Sequence, residues 1–225
     1  MAQSVSKDDS PGRVQGAARR HVRLTKRTKN ARAIEIAQRI EAPAAVLEEK
    51  NRGVESARRA VEDALDDWIA DDRDVDDKIA SVSRRCVDYD AEHPGARTHV
   101  ALFRGVAPSD VKYLPRAEQP DEVVKIIARA SALPPEHPVV PLIPALAEAN
   151  ERARASQRAY EAALTALDEA NAAAEVAKMA VVQVYRDNVI DITRAVGEEL
   201  AERCFPRLRA PRRRRDGGEG GGEGA

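Results

Sequence analysis

Small and apolar residues recur along two long stretches of the chain at alternating intervals of three and four residues. The first of these seams covers residues 33–89 and the second covers residues 142–184. This spacing places the repeated residues along one side of a helix and is typical of a coiled coil. Because each helix has one narrow seam to bury, the two are expected to pair with each other. The predicted fold class is all-α, with a long antiparallel helical hairpin as its framework.

Proline and glycine set the predicted limits of the first long helix, residues 30–93. Pro94 and Gly95 are expected to end it. Pro43 lies inside it, and an interior proline removes a hydrogen bond and clashes with the preceding turn, at a cost of about 3 kcal/mol. Because the 3-4 phase passes through Pro43 without a slip, one helix kinked near this residue is favoured over two separate helices.

Residues 94–137 are rich in proline and are predicted to form a small cap between the long helices. Within it, residues 100–103 and 111–114 are short and β-leaning, whereas residues 121–133 have an amphipathic helical pattern. We therefore expect one short helix in the cap. The second long helix is predicted over residues 138–205, with prolines in its first turn and Pro206 after its end.

The hairpin also predicts a register between the two long helices. If the helix ends near residues 91 and 142 are level, contacting residues have numbers that add up to about 233. Arg58 then faces Glu175, and Asp72 lies near Tyr160. Such polar residues within a seam would help to define the register.

Charge is segregated along the chain, although the formal net charge is only −1. Residues 13–32 contain eight Lys or Arg and no acid, and residues 203–215 contain seven Arg and no acid. Few large apolar residues lie near either end. We therefore predict a disordered basic arm over residues 1–29 and a disordered tail over residues 206–225, in which Arg is followed by Gly and Glu.

An antiparallel hairpin brings both basic clusters to one end of the molecule, where they form a basic pole. This pole could neutralise the phosphates of nucleic acid, with affinity that depends steeply on salt and little on base sequence. Solvation, docking onto acidic helices of sister molecules and binding to an anionic membrane surface are the alternatives. The candidate anion-binding or nucleic-acid-binding residues are Arg19, Arg20, Arg23, Lys26, Arg27, Lys29, Arg207, Arg209, Arg212, Arg213, Arg214 and Arg215.

No motif for catalysis, metal binding or cofactor binding is recognisable. The cap region collects three histidines, His93, His99 and His137. Their spacing is not that of a zinc site. Cys86 occupies a seam position, which favours a small buried hydrophobe over a nucleophile. An active site assembled from His99, Tyr113 and Arg104 matches no known catalytic constellation. We predict no catalytic residue, no metal and no cofactor.

Two cysteines are too few for a disulfide framework, and no apolar run approaches the roughly 20 residues that span a bilayer. We expect a cytoplasmic protein without integral membrane association. Apolar residues that flank the seams favour pairing of two hairpins in a homodimer; these are Ile34, Ile36, Leu164 and Ile190.

Two functional hypotheses follow from this architecture. The leading one is a noncatalytic coiled-coil scaffold or adaptor that acts through contacts with an unidentified protein partner. The alternative is a nonspecific nucleic-acid-binding protein that uses the basic pole. The first hypothesis depends on the seams, and the second depends on the terminal charge clusters.

Overall fold

The computed structural model describes residues 5–104, 106–115 and 118–206, and no strand occurs in this part of the chain. A 3-10 turn, Val140–Leu142, precedes α7. The α-helices are α1 (Pro11–Arg27), α2 (Ala31–Gln38), α3 (Glu41–Glu92), α4 (Thr98–Phe103), α5 (Pro108–Lys112), α6 (Gln119–Ala130), α7 (Ile143–Val196) and α8 (Glu198–Cys204). The two long helices, α3 and α7, contain 52 and 54 residues. The predicted all-α class with a long helical hairpin is confirmed.

Helices α3 and α7 pass through two compact units, and each unit has its own core. The first, which we call the terminal unit, comprises Met1–Arg52 and Asn171–Ala225. The second, the cap unit, comprises Gly53–Ala170. Each long helix therefore contributes one part of its length to each unit.

In the terminal unit, the start of α3 and the end of α7 are packed together with α1, α2 and α8. Its core is mainly aliphatic, with Ile36, Ile40, Leu47 and Ile192 among its buried members. Burial of such side chains is the main stabilising contribution, at about 25 cal/mol for each Å² of apolar surface. Because Ile36 is part of this core, it is not available for the dimer contact that the sequence suggested.

The prediction of a disordered arm at residues 1–29 is wrong for most of its length, because residues 11–27 form α1. Ser10 caps the helix, and its hydroxyl accepts a hydrogen bond from the amide of Arg13 at 3.4 Å. Pro11 occupies the first turn, where its missing N–H leaves no hydrogen bond unmade. The buried side of α1 consists of small or polar residues that composition alone does not mark as core: Val14, Ala17, Ala18, His21 and Thr25.

The predicted kinked helix over residues 30–93 is also wrong, since α2 ends at Gln38 and α3 begins at Glu41. Asn30 caps α2 through a 3.0 Å hydrogen bond from the amide of Ala33 to its side-chain oxygen. Pro43 then lies in the first turn of α3. The amides of a first turn have no acceptor within the helix, so a proline at this position removes no helical hydrogen bond.

The predicted second helix over residues 138–205 is interrupted near its end. Helix α7 stops at Val196, and Gly197 adopts a φ of +82° before α8 begins. The described chain continues through Phe205 and Pro206, both of which are buried. The remainder of the predicted disordered tail, residues 207–225, lies outside the described residues.

The described residues of the cap, which omit 105, 116 and 117, form three short helices, so the expectation of a single helix is wrong. Residues 100–103 belong to α4 and residues 111–112 to α5, although their composition leans towards β-structure. Asp90 of α3 supports α4, since its carboxylate accepts hydrogen bonds from the amides of Thr98 at 2.7 Å and His99 at 2.9 Å. A tertiary contact here overrides a weak local preference.

Cross-helix contacts in the cap unit define the register of the hairpin. The rings of Trp68 and Tyr160 are 5.5 Å apart, and the Ser156 hydroxyl donates to the carboxylate of Asp71. The sequence-based register placed Asp72 next to Tyr160. The observed pairing is displaced by four residues of α3, which is about one helical turn. The estimate failed because it assumed level helix ends, whereas in the observed pairing the end of α3 at Glu92 extends past the start of α7 at Ile143.

Candidate nucleic-acid interface

Helix α1 presents three different faces, and the basic residues divide between two of them. At about 100° per residue, the buried residues fall within a sector of about 100°. Arg19 and Lys26 lie together on a second face. Arg20, Arg23 and Arg27 lie within a third sector of about 60°. The six α1-region candidates are all exposed, but they differ in their electrostatic surroundings.

The second face of α1 is neutralised by the first turns of α3. Arg19 pairs with Glu48 at 2.6 Å, and Lys26 pairs with Glu41 at 3.2 Å. The hydrogen bond and the charge of Arg19 lower the pKa of the Glu48 carboxyl. Exposed pairs of this kind contribute little to stability, because solvent screens the charges. Their consequence is that Arg19 and Lys26 are already engaged with carboxylates of the same unit.

The third face of α1 keeps its charge uncompensated. Arg20, Arg23, Arg27 and the following residue, Lys29, form no ion pair with any carboxylate in the described ranges. Arg20 and Arg27 are about 10 Å apart along the helix axis. We call these four residues the basic face. A fixed row of exposed cations of this kind can contact successive phosphates without reading base identity.

Lys29 extends the basic face beyond the end of the helix. Its φ of +58° places it in the left-handed region, between α1 and the Asn30 cap of α2. The hydroxyl of Thr28 donates to the carbonyl of Thr25 at 2.7 Å and accepts from the Asn30 amide at 3.3 Å. These hydrogen bonds hold the turn that carries Lys29 in a defined conformation.

The second half of the predicted basic pole lies beyond the described part of the chain. It consists of Arg207, Arg209, Arg212, Arg213, Arg214 and Arg215. In sequence this cluster directly follows Pro206, and α8, which precedes it, packs against α1 within the terminal unit. The structure therefore places the residue before the second cluster in the same unit as the first cluster.

The buried side of α1 contributes to an aromatic cluster that the sequence analysis did not predict. The His21 ring stacks on Phe205 with centroids 4.2 Å apart and lies 5.4 Å from the ring of Tyr185. Its Nδ1 atom is 2.9 Å from the carbonyl oxygen of Cys204. Burial lowers the pKa of His21 to about 4, although the hydrogen bond to Cys204 opposes this shift. His21 is therefore neutral near pH 7 and is not part of the basic face.

In the cap unit, a serine, a histidine and an aspartate lie close together without forming a catalytic triad. The Ser83 hydroxyl is 3.2 Å from Nε2 of His99. Both oxygens of Asp90 instead accept backbone amide hydrogen bonds at the start of α4. A triad needs the carboxylate to orient the imidazole through its other nitrogen. The side chain of Tyr113 is 86% exposed, so it does not enclose a site with His99.

The described ranges contain neither a metal-binding cluster nor support for a reactive thiol at Cys86. Within them, no group of three or more His, Cys, Asp or Glu side chains is arranged to hold a metal ion. Burial, with a smaller effect from the charge of Asp90, raises the pKa of Cys86 to about 12. A thiol of this kind is a poor nucleophile. Cys86 is fully buried in the cap-unit core, where its side chain packs as a small hydrophobe.

Two further observations concern membrane-spanning helices and similarity to known proteins. Among the described residues, none of the helices combines the length and the apolar character needed to cross a membrane. No family model, curated protein or solved structure matches this chain. The charged surface of the terminal unit is therefore the main indication of function.

Proposed function

We propose that this protein binds nucleic acid nonspecifically through the phosphate backbone, using the basic face of α1. The observation that carries the proposal is the uncompensated row of Arg20, Arg23 and Arg27 on an ordered helix, extended by Lys29 in the turn that follows. An ordered helix holds its cations at defined spacing. Less conformational entropy is then lost on binding than with a flexible basic arm.

The same geometry favours nucleic acid over an anionic membrane surface. Helices that bind in a membrane interface insert large apolar side chains below the headgroups. The only large apolar residues of α1 are Val14, Val22 and Leu24; Val14 is fully buried and the other two are partly buried. No residue of α1 is among the exposed large hydrophobics of the described chain. The exposed side of the helix carries positive charge but no large apolar side chain that could insert into a membrane. Binding to a phosphate backbone requires only the charge.

Fluorescence anisotropy of a labelled DNA duplex, titrated with the full chain at several salt concentrations, tests this function. Four phosphate contacts made by the basic face contribute about −3.6 to the slope of log K against log salt. Replacing Arg20, Arg23 and Arg27 by Gln removes three of these contacts. The magnitude of the slope should then fall by about 2.7, and binding should weaken at all DNA sequences alike.

A matched control removes the same charge from the cap unit. Arg58, Arg59 and Arg85 of α3 are exposed, and none forms an ion pair with a described carboxylate. Replacing these three by Gln should leave the slope unchanged. An equal loss in both triple variants would mean that only net charge matters and would refute the basic face as the site. Binding of anionic vesicles in preference to DNA would favour the membrane alternative.

The second candidate function is the noncatalytic scaffold or adaptor, and exposed apolar residues of α7 support it. Val176 is 73% exposed, Met179 is 45% exposed and Ile190 is 48% exposed. Their spacing places them within about 60° on one side of the helix. Exposed apolar residues that share one side of a helix can contribute to a protein-contact surface. Absence of DNA binding even at low salt would leave the scaffold as the better proposal, with this row as the place to search for a partner.

A further inference from the structure

The cap unit contains a small polar pocket between the first turn of α6 and the side of α7. Its volume is about 210 Å³. It is lined by Pro120, Asp121, Arg154, Gln157 and Arg158. A water molecule occupies about 30 Å³ in the liquid, so the pocket has room for a small organic molecule. We call it the arginine pocket.

The arginine pocket is built on one stretch of α7. Arg154 and Arg158 are four residues apart and Gln157 is three residues after Arg154, so these side chains share one side of the helix. One turn earlier, the buried side-chain amide of Asn150 donates to the carbonyl of Pro120 at 3.1 Å. This hydrogen bond fixes the first turn of α6 against α7. The pocket is therefore formed before any ligand binds.

The two arginines of the pocket differ in their partners. Arg154 Nη2 donates to the carboxylate of Asp121 at 2.5 Å, and its buried Nε has no hydrogen-bond partner among the described residues. Arg158 is exposed and forms no ion pair with a carboxylate of the described ranges. Because Asp121 compensates only Arg154, the residues that line the pocket carry one net positive charge.

Carboxylates beside the pocket limit the charge of an anion that fits it. Asp121 is part of the lining. The side-chain amide of Gln157 donates to the exposed carboxylate of Glu161 at 3.0 Å. Two negative groups repel a doubly charged anion more strongly than a singly charged one. Charge complementarity therefore favours a monoanion.

The shape of the free cation favours a carboxylate among the monoanions. The guanidinium group of Arg158 is planar, and its N–H groups match the two oxygens of a carboxylate in a pair of parallel hydrogen bonds. The unpaired N–H of Arg154 favours the same kind of ligand, because a buried donor without an acceptor is destabilising. A small shift of this guanidinium lets it donate to a bound oxygen.

We propose that the arginine pocket binds the carboxylate group of a small molecule. Arg158 supplies the uncompensated charge and the paired hydrogen bonds. Asp121 positions the guanidinium of Arg154, which contributes a second donor. This site does not depend on the proposed nucleic-acid function, because its residues lie in the cap unit and none belongs to the basic face of α1.

An NMR titration of the ¹⁵N-labelled full chain tests the pocket, with sodium acetate replacing sodium chloride at constant ionic strength and pH 6.5. We expect saturable shifts of the Nε–H signals of Arg154 and Arg158. Arg158→Gln should weaken acetate binding at least about fivefold, because a charge-assisted pair of hydrogen bonds is lost. Arg85→Gln is the matched control, since Arg85 is an exposed cation of the same unit outside the pocket. It should leave the affinity for acetate unchanged.

Two other anions test the assigned ligand class. Sulfate carries two charges, and dimethyl phosphate carries one charge on a group that resembles a link of the nucleic-acid backbone. Both should bind more weakly than acetate. Tighter binding of sulfate would overturn the preference for a monoanion. If dimethyl phosphate bound as tightly as acetate, the pocket would be a further phosphate contact and the carboxylate assignment would be wrong.

The result with acetate alone can also overturn the site. Shifts that do not saturate, or that are spread over the surface of the cap unit, would show ionic screening without a binding site. Equal weakening in Arg158→Gln and Arg85→Gln would show that only net charge matters. Arg158→Gln changes an exposed side chain without an ion pair among the described residues, so circular dichroism should show an unchanged helical content.

Discussion

Acid should destabilise the terminal unit through His21. This side chain is 0% exposed, and burial lowers its pKa from 6.5 to about 4. Between these two values the unfolded chain binds a proton that the folded chain excludes, so the free energy of unfolding decreases as the pH falls. The effect is absent above pH 6.5 and complete below pH 4. It amounts to about 2 kcal/mol at pH 5 and about 3 kcal/mol at its limit.

Urea unfolding followed by circular dichroism at pH 7.5 and pH 5 measures this effect. The variant His21→Gln removes the titrating group, and its amide can still donate to the carbonyl of Cys204. Carboxylates titrate in both proteins, so the difference between their pH dependences isolates His21. With a urea m-value of about 2 kcal/mol/M, the midpoint of the native chain should fall by about 1 M more than that of the variant.

One result would refute the assignment of His21 as a buried neutral group. If the midpoints of the native chain and of His21→Gln shift equally between the two pH values, His21 is not buried as a neutral group. The stacking of Phe205 on His21 and the hydrogen bond from Nδ1 would then both be in doubt. A larger shift in the variant would contradict the sign of the linkage itself.

Two further predictions concern backbone positions. Gly197→Ala should cost about 1–3 kcal/mol, because its backbone angles suit only glycine; thermal melts test this, with helical Gly53→Ala as a control that should be neutral or stabilising by up to about 1 kcal/mol. Asp90→Ala should cost about 1 kcal/mol, because two amides at the start of α4 lose their acceptor. Faster amide hydrogen exchange in α4 should accompany this loss, and exposed Asp88→Ala should show neither effect.

The candidate site was predictable only as a set of cations. Charge composition identified Arg19, Arg20, Arg23 and Lys26 together. It did not separate the pair that meets glutamates of α3 from the residues that stay uncompensated. That distinction depends on the angle between α1 and α3, which no local sequence pattern encodes.

Sequence patterns did not predict the contacts between residues that are far apart along the chain. His21 and Cys204 are 183 positions apart, and neither residue type signals the other. Phe205 precedes an arginine-rich tail, a context in which a single aromatic residue carries no periodic pattern. The contacts of His21 with Phe205 and Cys204 therefore became visible only in the tertiary structure.

The sequence alone determined the all-helical class and the two long helices, because a 3-4 seam sustained over dozens of residues admits no other regular structure. It also determined where the positive charge lies. Tertiary structure decided that residues 11–27 are helical, that Pro43 lies in the first turn of a helix and that Gly197 separates α7 from α8. Short helices and breaks of this kind are marginal by themselves, so packing against the rest of the unit decides whether they form.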